Sequence, residues 1–370
     1  MRTYPLPALS LDEAIDLQFR LVDTVTRHFD GYLLLSQGDL GVRRDLGRPE
    51  TTARVEQVLA DFFGAPACRL VQGAGTGAIR AIYFATVRPG DPILVHNAPI
   101  YNTTATLFDR MGLRLIRVDF HDAEALRVVA ASDVGKQLRI VHVQHTRQQP
   151  EDRYDLAMLV PTLKRLFPQA RIVVDDNYAV FKTPRIGVQY GADVSTFSLF
   201  KLMGPEGVGC ILGPEDVILE IDRQNYSGGG QVQGWQALDA LRAMIAVPVL
   251  WALQGRVVDE VAQRLNAGEI PEVEECLIAN AQDRTLLVRF KEPIARKVLD
   301  AAPSFGAIPH PVGANSRYEI TPLFYRLSGT FLDRYPELAD FMIRVNPLRA
   351  GADTVIRILR QAIKEAKRCS

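Results

Sequence analysis

The chain predicts an α/β fold: a mostly parallel sheet with helices on both faces, followed by a smaller α+β domain. Three features carry this. Between residues 69 and 213, short apolar runs alternate with segments of helical periodicity. Strands spaced by crossover helices are the pattern of a parallel sheet covered on both sides. After Gly213 the character changes, first to long helical segments and then to strand-like pieces closed by a last helix. At 370 residues the chain is long for one core and short for three. The expected division is an N-terminal arm and helix over residues 1–45, a large domain over 46–249 and a small C-terminal domain over 250–370.

The elements follow in order. Leu11, Ala14, Ile15, Phe19, Leu21 and Val22 recur at helical spacing, predicting a helix from Leu11 to His28. A polar, glycine-bearing loop follows, and Pro49 and Glu50 open a second helix that runs through Phe63 and stops at Gly64. Strands are expected at Arg69–Gln72, Pro92–His96, Leu113–Asp119, Leu138–Gln144, Arg171–Asp175 and Val194–Ser198, with Val208–Gly213 as the return. Helices are expected at Thr76–Thr86, Tyr101–Met111 and Leu156–Leu166. Beyond Gly213, helical segments run from about Pro214 to Ala262, broken at Tyr226–Gly230. Strands at Leu286–Phe290 and Phe341–Val345 and a helix from Thr354 to Lys367 finish the chain.

Composition bounds the function. Apolar residues make up 47% and charged residues 23%, a globular balance. Basic and acidic residues number 43 each, so net charge gives no case for nucleic acid or an anionic membrane as partner. No apolar run approaches a membrane span, and the N-terminus lacks the apolar core of a signal peptide, so a cytoplasmic protein is expected. Cys68, Cys210, Cys276 and Cys369 lie far apart, with no CxxC pair and no metal spacing. They read as buried small hydrophobes in a reducing compartment, and no metal is expected.

The chemistry concentrates in a few stretches. Ser195-Thr-Phe-Ser-Leu-Phe-Lys201 places a lysine just past a hydroxyl-rich strand and just before the glycine-rich return. Lys201 lies between Phe200 and Leu202, where burial without a role is costly and where a lowered pKa makes an amine nucleophilic towards an aldehyde. Ser198 has the offset to reach a phosphate on the same ligand. Upstream, Gly73-Ala-Gly75-Thr76-Gly77 follows a strand and opens a helix, whose N-terminus offers free amides and a positive dipole to a phosphate. The dinucleotide pattern GxGxxG fails here, because Ile79 and Arg80 occupy the region of the third glycine.

Asp175-Asp176-Asn177-Tyr178 ends another strand, where ligands of parallel sheets bind. A pyridine cofactor acting as an electron sink needs an aspartate beside its ring nitrogen. Either aspartate could serve, and Asp175 is preferred because Tyr178, three residues on, can then meet the phenolic oxygen. Asp176 and Asn177 also suit an Asx turn. Tyr101 could stack on the ring or belong to the core. His145, in Gln144-His-Thr-Arg147-Gln148, could contact the ring or lie at the surface. For a substrate carboxylate, Arg344 lies in a predicted strand of the second domain and Arg326 is its rival. Together these residues read as a pyridoxal 5′-phosphate (PLP) site.

With these motifs the chain resembles the fold-type-I PLP enzymes, the aspartate aminotransferase superfamily, over essentially its whole length. Asp175-x-x-Tyr178 is similar to the Asp-x-x-Tyr of aminotransferases. Gly75-Thr-x-Ala-Ile79 with Gln144-x-Thr-Arg147 looks like PLP-dependent carbon–sulfur lyases. The resemblance implies Lys201 as the Schiff-base lysine and Ser198 with Gly75, Thr76 and Gly77 as the phosphate cup. It further implies Asp175 as the pyridinium partner, Tyr178 as the phenolate contact, Tyr101 as the stacking ring and Arg344 as the carboxylate ligand, with His145 and Asp176 beside the cofactor. A homodimer is implied, with Tyr226–Gly230 near the neighbour's phosphate. The usual Asn-Pro-x-Gly loop is absent, and Gln144-His-Thr-Arg147 stands there instead.

The expected function is an enzyme acting on an amino acid or related amine through Lys201, of aminotransferase type, with a PLP-dependent lyase, aldolase or racemase as the alternative. A PLP or phosphate-metabolite binder without turnover, and a nucleotide-dependent oxidoreductase, are the readings from other classes. The full set of lysine, aspartate and phosphate cup favours the enzyme.

Overall fold

The structure is a computed structural model that describes residues 1–146, 149, 151–226, 230–280, 284–312 and 315–368. It begins with α1 (Leu11–His28), started by a capping box in which Ser10 accepts from the Glu13 amide and the Glu13 side chain returns to the Ser10 amide. Helix α2 (Glu50–Phe63) follows Pro49 and ends at Gly64, which has φ 69°. Its N-terminus is capped from a distance: Asp39 accepts from the amides of Glu50 and Thr51 at 2.7 and 3.0 Å.

The large sheet and its helices come next, as β1 (Ala67–Gln72), α3 (Ala74–Thr86), β2 (Pro92–His96), α4 (Asn102–Arg110) and β3 (Arg114–Val118). Two helices absent from the sequence reading follow, α5 (Ala123–Ala131) and α6 (Asp133–Gln137). Then come β4 (Ile140–Gln144), α7 (Leu156–Leu166), β5 (Arg171–Asp175), β6 (Val194–Ser198) and β7 (Val208–Gly213). The seven strands lie in the order β1-β7-β6-β5-β4-β2-β3. Only β7 runs against the others, pairing antiparallel with both β1 and β6. The reversal follows from the short link after β6, which leaves no room for a crossover helix.

Strands covered on both faces need near-continuous apolar runs, and β2, β4 and β5 supply them over most of their length. Val71, Ile93, Val95, Ile140 and Val173 face a core shared with α3 and α4. Leu94, Val141, Val143, Ile172 and Val174 face the opposite core with α5 and α7. Near β1 and β7 that opposite face is covered by α1, α2 and, beyond α8 (Glu215–Gln224), by α9 (Gly234–Met244).

The long helix α10 (Val247–Asn266) leads to a four-stranded antiparallel sheet of order β10-β11-β9-β8. Its strands are β8 (Val273–Asn280), β9 (Arg284–Phe290), β10 (Leu323–Tyr325) and β11 (Met342–Asn346). Three helices, α11 (Ala295–Ala301), α12 (Gly329–Leu332) and α13 (Ala352–Arg368), complete the chain. Strand β9, α10, α11 and α13 share one apolar core distinct from those of the large sheet. Among the described residues no single helix is long and apolar enough to cross a membrane.

Candidate active site

The C-terminal ends of β2, β4, β5 and β6, together with the start of α3, surround a cavity of about 300 Å³. It is lined by Gly75, Thr76, Tyr101, Asp175, Tyr178, Ser198 and Lys201 among the residues expected from the sequence, and by Gln144, Thr146 and Asn177 besides. In an open parallel sheet this is where ligands bind, because loops diverge there and leave a crevice.

Lys201 sits in a short helical turn after β6, and the next-but-one residue, Met203, is held at φ 64°. Tyr178 is likewise at φ 68°, and its ring centroid lies 3.8 Å from Lys201 Nζ. Left-handed backbone at non-glycine residues costs about 1–3 kcal/mol each. Two such residues therefore flank the one lysine on the cavity wall. Burial pushes the Lys201 ammonium below its ordinary range, against the opposing pull of Tyr101 and Asp175. Burial pushes the Tyr101 phenol up, and its ring centroid is 6.0 Å from Lys201 Nζ.

Asp175 is buried, and burial raises its carboxyl above the ordinary value. Two hydrogen bonds from Asn177, the amide at 3.0 Å and Nδ2 at 2.7 Å, pull it back towards the charged form. Asn177 does more than close an Asx turn. Its Oδ1 accepts from the Ser198 amide at 3.0 Å, and its side chain lies 2.6 Å from where a Cβ on Gly75 would stand. It ties the ends of β5 and β6 to the start of α3. Sequence reading passed over it as a turn residue; the signal available was its place between Asp175 and Tyr178.

At the other end of the cavity, Ser198 Oγ is buried, with no hydrogen bond made to it among the described residues. The Thr76 hydroxyl lies 3.1 Å from that of Thr103. Helix α3 begins at Ala74, so the first-turn amides of Gly75 and Thr76 have no partner four residues back inside the helix. An orphaned hydroxyl beside free helix amides suits a phosphate. A buried carboxylate and a depressed lysine across the cavity suit a ring nitrogen and an aldehyde. The residues present fit PLP.

Four expected residues stand elsewhere. Gly77 does not line the cavity: its amide already donates to Gly73 O at 2.7 Å, and a Cβ on it would stand 2.0 Å from Gln72 O. Its lack of a side chain lets α3 pack on β1. Asp176 points to the opposite side of the chain from Asp175, where it accepts from His145 Nδ1 at 2.7 Å and from the Gly187 amide at 3.1 Å. His145 is thereby also outside the cavity. Adjacent residues leaving a strand face opposite ways, which explains why only one aspartate can face the ligand. Arg344 lines a neighbouring chamber of about 560 Å³ that shares Tyr101, Thr103 and Gln144 with the central one. Arg147 and Gln148, with Ser227, Gly228 and Gly229 of the Tyr226–Gly230 stretch, lie outside the described residues.

Away from the cavity, β2 and β3 bring together His96, Asp119 and His121, a grouping that sequence spacing does not reveal. Their polar atoms are engaged locally. His96 Nδ1 accepts from the Phe120 amide at 3.0 Å, and His96 Nε2 and His121 Nε2 lie 3.3 and 3.0 Å from Asp152.

A parallel-type sheet with a cofactor-sized cavity at its strand ends defines a class of protein, and the comparisons with known proteins agree with it. Residues 48–242 match the class-V aminotransferase family, so the chain belongs to that family. Residues 259–359 match the YhfS-like C-terminal domain. The uncharacterised protein YhfS of Escherichia coli K12 is 52% identical over 363 residues, which cover 98% of this chain and 99% of that one. A crystal structure of the E. coli protein, described as the pyridoxal-5′-phosphate dependent protein YhfS, superposes with a TM-score of 0.95 over the same shares of the two chains. The fold is shared more distantly. A cystathionine gamma synthase from Xanthomonas oryzae matches at 15% identity and TM-score 0.69, over 96% of this chain and 99% of its own. A cystathionine gamma lyase from Micromonospora echinospora matches at 19% and 0.67, over 86% and 87%.

Proposed function

We propose that this chain is a PLP-dependent enzyme that acts on an amino acid by moving a proton at the α-carbon, in a reaction of aminotransferase type. The single observation that carries this reading is that Lys201 and Asp175, each with its pKa shifted by burial, line one cavity together with Ser198, Thr76 and the start of α3. The relative of 52% identity is described as dependent on PLP, which supports the same cofactor here.

When bound, PLP supplies an electron sink that stabilises negative charge left at the substrate's α-carbon. The chain's residues do the rest. Lys201 would hold the aldehyde end of the cofactor and would act as the base at the α-carbon; burial lowers its pKa, which favours the neutral amine that this role needs. Asp175 would pair with the ring nitrogen, and the hydrogen bonds from Asn177 favour its charged form against the burial that raises its pKa. Tyr101 and Tyr178 would contact the ring, and Ser198, Gly75 and Thr76 would hold the phosphate. Arg344 binds the substrate carboxylate from the adjoining chamber.

One observation favours a lyase as the second reading. The adjoining chamber of about 560 Å³ gives a departing side-chain fragment somewhere to go. The two readings part on a simple assay. Amino acids are incubated with the PLP-loaded enzyme, with and without a 2-oxo acid acceptor. Turnover that needs the acceptor supports transamination. Oxo acid and ammonia released without an acceptor would overturn it in favour of elimination.

We further propose a homodimer. Tyr32, Leu35 and Leu40 are 84%, 82% and 74% exposed, and Trp235 and Tyr226 are 48% and 84% exposed. The loop bearing the first three is tied to α9 through Gly234 N to Asp39 O at 3.0 Å and Gly41 N to Gln233 Oε1 at 2.7 Å. The patch adjoins the glycine turn through Gln72 Nε2, which donates to Gln236 Oε1 at 3.1 Å. So much apolar surface in one region suits contact with a second copy.

A further inference from the structure

The chamber beyond Tyr101 contains two guanidinium groups. Arg344 comes from β11 and is 6% exposed. It is held in place: Nε donates to the Arg326 carbonyl oxygen at 2.7 Å, and the guanidinium carbon lies 3.9 Å from the centroid of the Tyr325 ring. Arg326, one residue past β10, lines the same chamber from its exposed side. Among the described residues no carboxylate lies within ion-pair distance of its guanidinium, and Asp333 is the one acid on the chamber wall. Burial holds the Arg344 pKa below its ordinary value, and the charge of Arg326 adds to that effect. Two cations that line one pocket repel one another, and each is stabilised by an anion held against it.

The two positions differ in depth. Arg344 is buried on a central strand of the small sheet, so it belongs to the inner end of the chamber. Arg326 belongs to the mouth. A ligand that spans them enters with one acidic group ahead of the other.

We propose that the substrate is an amino acid whose side chain ends in a second anionic group, with the α-carboxylate on Arg344 and the distal acid on Arg326. This rests on the reading of the cavity as an amino-acid site. Arg326 is then the residue that selects among amino acids, and Arg344 the one that binds them all. Guanidinium pairs with carboxylates in bidentate geometry, so a neutral amide of the same size loses that contact.

The test uses the PLP-loaded enzyme and three unreactive probes, glutarate, its monoamide glutaramate and butyrate, with Kd measured by titration calorimetry. The expected result is that glutarate binds about tenfold tighter than glutaramate, a difference of about 1.4 kcal/mol. Arg326→Gln should abolish that difference and leave butyrate unchanged, while Arg344→Gln should weaken all three. Equal binding of glutarate and glutaramate to the wild-type enzyme would overturn the proposal, as would an Arg326→Gln variant that keeps the tenfold preference. If the preference is missing but Arg344→Gln still weakens every probe, only the second acidic group is wrong. If Arg344→Gln weakens none of them, the amino-acid site itself is misassigned.

Discussion

Asp175 and Lys201 are the residues on which the account turns, and each is costly to bury. Asp175 has its carboxyl raised by burial, so the stability it contributes is present below the ordinary carboxylate range and is lost as pH rises through its folded pKa. Lys201 has its pKa lowered, so the cost of burying its charge is full at lower pH and is relieved as pH rises towards the ordinary lysine value. At neutral pH the cofactor-free protein therefore carries the penalty of both. Asp175→Asn keeps an acceptor for Asn177 and removes a buried charge. It should raise the thermal stability of the cofactor-free protein at pH 7, by about 1–3 kcal/mol, while turnover falls by orders of magnitude. Calorimetry at pH 7 checks the first part, and a variant less stable than wild type would count against a buried, ionised Asp175. Asn177→Ala should weaken PLP binding about tenfold or more, because it frees both the carboxylate and the Ser198 amide; unchanged affinity by fluorescence titration would remove Asn177 from the site.

At the scale of elements, what positions the site is the set of strand ends and one helix start. Helix α3 can approach β1 closely only because residue 77 has no side chain. Gly77→Ala should cost about 1–3 kcal/mol of stability and weaken PLP binding with it, since the cup amides ride on the same helix. The cap on α2 makes a separate prediction. Burial pushes the Asp39 carboxyl up, but hydrogen bonds from Thr51 and from the amides of Thr51 and Glu50 outweigh it and leave the pKa lowered. Its contribution is thus present above the ordinary carboxylate value and lost as pH falls through the folded pKa. Asp39→Ala should destabilise by about 1 kcal/mol at pH 7, with the difference shrinking in acid. Denaturant titrations at the two pH values check it.

The elements that sequence periodicity revealed are those with a one-residue logic. Leu11–His28, Glu50–Phe63, Leu156–Leu166 and the strands at β2, β5, β6 and β7 agree with their expected bounds, because caps, prolines and apolar runs mark their ends. Helix α3 starts at Ala74, ahead of the expected Thr76, since glycines mask a helical start. Strands β8 and β10 were missed: in β8 the adjacent Glu274 and Glu275 break any alternation, and β10 is three residues long. Residue type alone pointed to the lysine, the aspartate and the hydroxyls that line the cavity. The direction in which Asp176 and His145 point depends on where each chain segment turns, and Arg344 reaches the adjoining chamber only through the packing of a distant sheet. None of that is written locally.

At the scale of the whole molecule, the large sheet supplies the cofactor cavity and the small sheet supplies the arginines. The proposed substrate therefore lies between them. The exposed apolar region around Tyr32, Leu35 and Trp235 leads to the expectation of a dimer by analytical ultracentrifugation, with Leu35→Glu shifting it towards monomer; a wild-type monomer at micromolar concentration would contradict this.

The most direct test of the central claim is the absorption spectrum of the purified protein incubated with PLP, recorded beside Lys201→Ala. The account predicts a visible band in the wild-type protein that is lost in the variant, while the variant still retains PLP in equilibrium dialysis through Ser198 and the start of α3. Lys182 makes the control a sharp one, because its Nζ lies 5.5 Å from the Tyr178 ring centroid. A band that survives Lys201→Ala, or a wild-type protein with no band at all, would contradict the assignment of Lys201 as the residue that carries the cofactor.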